Sequence, residues 1–103
     1  MNPFPSPSPP ETELSIQQVG LIINAVSRYG RARDWAGLDR RLVSLIPRLP
    51  NFCSSEIVAW CRASYPMSQH LPSYSRLLAA ARAVLAPRHP GRNLLTGLRV
   101  PAP

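Results

Sequence analysis

Apolar residues recur at helical spacing in four separate stretches of this chain, and proline or glycine closes each one. In the first stretch Ile16, Val19, Ile22, Ile23 and Val26 keep that spacing. It opens on "SIQQ", a capping box with Ser15 as N-cap and Gln18 at the third position, and Gly30 is the expected stop. The second stretch begins at Asp34, the expected cap of "WAGLDRRLVSLI", and carries Trp35, Leu38, Leu42, Leu45, Ile46 and Leu49. Pro47 and Pro50 end it. A third helix is predicted after "CSSE", with Ile57, Val58, Trp60, Cys61 and Tyr65, ended by Pro66. A fourth starts around Pro72–Ser73, carries Tyr74, Leu77, Leu78, Ala81, Val84 and Leu85, and ends at Pro87. No stretch alternates as a half-buried strand does. The expected fold class is all-α.

The four helices read as one pair written twice. Shifted by 38 residues, Val19, Ile22, Ile23 and Ala25 fall on Ile57, Trp60, Cys61 and Ala63. Shifted by 39, Trp35, Leu38, Leu45 and Ile46 fall on Tyr74, Leu77, Val84 and Leu85. A helical-hairpin repeat of this length lies in the range of α-solenoids. An ordinary four-helix arrangement satisfies the same pattern.

Proline divides the chain. Five of its 13 prolines stand in the first ten residues, "MNPFPSPSPP", which cannot form a helix and read as an extended arm over residues 1–13. Residues 14–86 form the predicted helical-hairpin domain. Residues 87–103, "PRHPGRNLLTGLRVPAP", read as a basic extended tail with no fold of its own, of the kind that orders itself against a partner.

Charge sharpens the picture. All twelve basic residues are arginine, and the net charge is +7. Residues 57–103 hold six arginines and no carboxylate, so that stretch cannot neutralise itself and calls for an anionic partner. Guanidinium groups make planar, bidentate contacts with phosphate. Three arginines crowd "SRYGRARDW", the turn of the first hairpin. That cluster is either a grip on phosphates or the solvated corner between two helices. No apolar run reaches the length of a membrane span, and the first residues lack the basic and apolar regions of a secretory signal.

Cys53 and Cys61, with His70 and His89, match no zinc spacing. Buried reduced thiols are the adopted reading, and no metal or cofactor is expected. General acid–base chemistry needs a positioned histidine or carboxylate. Neither histidine has an acid near it in sequence, so no enzyme is expected.

"LSIQQVGLIINAVSRYG", followed by a second amphipathic helix, resembles the octotricopeptide and heptatricopeptide helical-hairpin repeats, often found beside RAP domains. Pentatricopeptide repeats are a more distant likeness. The second unit, "SSEIVAWCRASYP", keeps the alanine but ends in proline where glycine is usual. The resemblance covers residues 14–86. It implies an α-solenoid that binds organellar RNA or builds organellar ribosomes, with Asn24 and Arg62 one repeat apart on the concave face.

Two repeats without caps are too few to bury their flanks, and Trp35, Trp60 and Tyr74 are the expected protein-interface residues. Arg28, Arg31, Arg33, Arg40, Arg41, Arg62, Arg88, Arg92 and Arg99 are the expected RNA-binding residues. Among them Arg31, Arg33, Arg40 and Arg41 should form one basic surface. The function expected is a structural component of a mitochondrial ribosome or its assembly intermediate, in contact with rRNA and neighbouring proteins. It would have no small-molecule substrate and no membrane insertion. The alternative is an accessory, protein-only subunit of a mitochondrial membrane complex.

Overall fold

The computed structural model describes residues 15–99, with the side chains of Ser15 and Ile16 left aside. The expected proline-rich arm, the Ser15 cap and the last residues of the tail therefore lie outside the described residues. Among those described, the chain is all-α and has no strand. Helix α1 spans Ser15–Ala32, α2 Trp35–Leu45, α3 Ser54–Ser64 and α4 Tyr74–Arg88. Two 3₁₀ segments, Ile46–Asn51 and Tyr65–His70, follow α2 and α3. Each has proline at its start, Pro47 and Pro66, where a missing amide costs nothing. The prolines thus tighten the helices into 3₁₀ turns instead of ending them outright.

The hairpins α1–α2 and α3–α4 repeat at a single offset. α3 starts 39 residues after α1, and α4 starts 39 after α2. Leu38 and Leu77 are equivalent at that offset, as are Leu42 and Ala81, and all four are fully buried. α1 lies along α3, α2 packs on α4, and α3 packs on α4. Asp39 fastens the units together. Its carboxylate accepts the Ser73 amide at 2.9 Å and the Ser73 hydroxyl at 3.0 Å, where α4 begins.

Gly30 does not stop α1. The helix runs on to Ala32, and Arg33 takes the left-handed position with φ 54°. The Arg33 amide donates to the Gly30 carbonyl and the Asp34 amide to the Tyr29 carbonyl, the two bonds of a Schellman close. Gly30 instead lies within the helix against Met67, where a Cβ would make ordinary contact with the sulfur at 3.4 Å. Asp34 caps α2 by accepting the Gly37 amide at 3.0 Å.

Trp60 and Tyr74, expected to face a partner, are core residues at 4% and 0% exposure. Tyr74 can be buried because its hydroxyl donates to the Cys61 carbonyl at 2.6 Å, which satisfies its polar end. Ile23, expected on the inner stripe of α1, is exposed instead.

The tail departs furthest from expectation. α4 continues through Pro87 to Arg88. Beyond it the chain folds back, with positive φ at Gly91 and Gly97, and buries Leu95 and Leu98 in the main core. Arg62 on α3 donates to the Leu94 carbonyl at 2.9 Å, and Arg82 on α4 donates to the Leu98 carbonyl at 3.2 Å. The described part of the tail therefore covers the α3–α4 end of the stack.

Candidate nucleic-acid interface

α1 and α2 part from one another and leave a cleft between them. Toward the turn, a hollow of about 430 Å³ is lined by Ala25, Arg28, Tyr29, Ala32, Asp34 and Arg41. Beside it lies a second of about 320 Å³, which shares Ala25 and Arg41 and reaches Gln18, Arg48, Phe52, Glu56 and Trp60. Arg28, Arg41 and Arg48 border the cleft, and all three are exposed. The Arg41 guanidinium lies 5.6 Å from the Trp60 ring centre, and that of Arg48 lies 5.7 Å from the Phe52 ring. Each cation is steadied over an aromatic face, yet the ring claims none of its N–H donors.

The carboxylates offset this surface only in part. Among the described residues there are three. Asp34 holds the cap of α2, Asp39 holds Ser73, and Glu56 accepts the Cys53 thiol at 3.4 Å. None pairs with an arginine among the described residues; Asp34 and Glu56 line the cleft, so its three arginines meet two carboxylates and keep a net positive charge.

The expected RNA-binding arginines separate into groups. Arg28 and Arg41 meet in the cleft. Arg31 and Arg33 stand exposed at the end of α1, and Arg40 is exposed on α2 beside Arg41. Arg62 is exposed but ties down the tail. Arg88 donates to the Pro50 carbonyl at 2.9 Å and the Phe52 carbonyl at 2.8 Å, satisfying acceptors left over where the first 3₁₀ segment ends. Arg92 and Arg99 are exposed on the tail. Arg48 was not among the expected residues. Its signal was present, since it follows Arg41 by seven positions and so returns to the same helical face.

Trp35 is half-buried at the start of α2 and stacks on His70, with ring centres 4.5 Å apart and planes 8° apart. A second groove, of about 530 Å³, runs between α1 and α3. It is apolar, with Val19, Ile23, Val26, Val58 and Met67 among its lining residues and Arg62 at its edge.

Both cysteines are free and buried. Burial pushes the Cys61 thiol up to about 12, against the pull of Arg82 and Arg62. His89 lies 3.0 Å from the Ser54 hydroxyl, a nucleophile-and-base distance. Ser54 is only 3% exposed, however, and Arg88 donates to the same oxygen at 3.3 Å. A hydroxyl so enclosed offers no approach to a substrate. No cluster of three metal-ligating side chains occurs among the described residues, and none of their helices is long and apolar enough to cross a membrane.

Comparison of the chain with protein-family models, with curated proteins and with solved structures finds no match.

Proposed function

We propose that the protein is a non-catalytic RNA-binding component of a mitochondrial ribosome or of its assembly intermediate. The observation that carries the RNA part is the cleft between α1 and α2, where Arg28, Arg41 and Arg48 outnumber the two lining carboxylates, Asp34 and Glu56, and pair with neither. Phosphates of the RNA backbone enter along the cleft and meet guanidinium forks. The exposed Arg31, Arg33 and Arg40 widen the field that steers the RNA in. The mitochondrial ribosome is proposed on the resemblance of "LSIQQVGLIINAVSRYG" to organellar hairpin repeats. The apolar groove between α1 and α3 suits the neighbouring proteins of such an assembly.

Phosphate contacts are read by salt. For single strands, log affinity falls against log salt with a slope of about −0.7 per phosphate neutralised. Changing Arg28, Arg41 and Arg48 together to Gln should flatten that slope by about 2, and should remove the protein from ribosomal particles in sedimentation. Helix content should stay unchanged, because these side chains are exposed. Unaltered slope and unaltered co-sedimentation would defeat the RNA reading. The apolar groove then favours the protein-only alternative, a subunit docked in a mitochondrial membrane complex.

A further inference from the structure

The end of α1, the start of α2 and the second 3₁₀ segment meet at one corner of the molecule. Gly30 faces Met67 there, and Trp35 stacks on His70. Of the stacked pair, Trp35 is half-buried and His70 is exposed. One face of the imidazole rests on the indole, and the ring's exposed surface is turned to solvent. Asp34, next in sequence to Trp35, lines the mouth of the arginine cleft. Arg33, also exposed, is held in the left-handed conformation one residue earlier.

We propose that the Trp35–His70 pair is a stacking platform for one unpaired nucleobase, placed where a strand leaves the arginine cleft. The proposal rests on the RNA reading above. Aromatic faces accept any base by stacking, and nearly parallel rings at 4.5 Å show that the site already favours face-to-face contact. A base laid on exposed His70 would lengthen the stack by one ring, with Arg33 and Arg31, close to Trp35 in the chain, to take its flanking phosphates. A base inside a duplex cannot do this, because both of its faces are covered by its neighbours; only the terminal pairs keep a free face. The platform therefore selects unpaired RNA, and the cleft alone does not.

The test uses the full chain with an oligoadenylate of about ten nucleotides, single-stranded or paired with its complement. The single strand should bind about tenfold more tightly than the duplex and should quench tryptophan fluorescence. His70→Ala should bring single-strand affinity down to the duplex value and leave duplex affinity unchanged. His70→Phe should restore it, because the ring and not the imidazole nitrogens does the stacking. His70 is exposed, so circular dichroism of both variants should match the parent. Equal loss on both RNAs, or no loss on either, would overturn the platform and leave the cleft standing. Binding to neither RNA by the parent chain would overturn the RNA reading and the platform with it.

Discussion

Cys61 shows how burial decides chemistry at the scale of one residue. Arg62 and Arg82 both favour its thiolate, yet desolvation outweighs them and lifts the thiol from 9.0 to about 12. The unfolded chain ionises this thiol near its ordinary value, and the folded chain does not. Between those two values the unfolded state binds fewer protons, so stability is complete below pH 9 and is lost as pH rises toward 12. Tyr74, also raised chiefly by burial, adds to the same alkaline loss. Cys61→Ala should make the fall of the urea midpoint with rising pH visibly shallower than in the parent. In the native parent, iodoacetamide should leave Cys61 untouched at neutral pH, since the thiol is both neutral and fully buried. Rapid labelling, or an identical alkaline limb in the variant, would show that Cys61 reaches solvent.

At the scale of elements, the helices were legible because each repeats one apolar stripe at one period. Leu38, Leu42 and Leu45 on α2, and Leu77, Leu78 and Ala81 on α4, are buried as their spacing demands. The tail was not legible. In "NLLTGLRV" the two deep leucines, Leu95 and Leu98, keep no helical or strand period over a useful length. Their burial depends on glycine turns and on Arg62 and Arg82, far away in sequence. The internal roles of Arg62 and Arg88 were hidden for the same reason, since an arginine in sequence shows its charge and not its acceptor. Half of the cleft was readable, Arg28 and Arg41 as part of a cluster. Its aromatic floor was not, because Trp60 and Phe52 come from beyond the first hairpin. The self-packed tail makes its own prediction. Leu95→Ala should lower the stability of the isolated chain by about 2–4 kcal/mol in denaturant unfolding, as truncation of a fully buried leucine does. A tail that ordered only on a partner would show no change in the isolated protein.

Over the whole molecule the same charge acts on two equilibria with opposite sign. Twelve arginines face three carboxylates among residues 15–99, and none of those carboxylates forms an ion pair with an arginine among the described residues. Bringing that many like charges into one small fold costs free energy, which the expanded unfolded chain partly escapes. Salt shortens the reach of this repulsion to about 10 Å at 0.1 M, so it relieves the folded state more than the unfolded one. Salt also competes with arginine for phosphate, so it weakens RNA binding. The melting temperature of the free chain should therefore rise between low and moderate sodium chloride, over the same range in which RNA affinity falls. The variant with Gln at 28, 41 and 48 should separate the causes, with a higher melting temperature at low salt, a smaller rise on adding salt, and weaker RNA binding throughout. Differential scanning fluorimetry and a binding titration on the same samples measure both. A melting temperature that fell with salt would mean that attractive pairs, not self-repulsion, dominate the native charge. The arginine surface would then already be neutralised from within, leaving little for an RNA to contact.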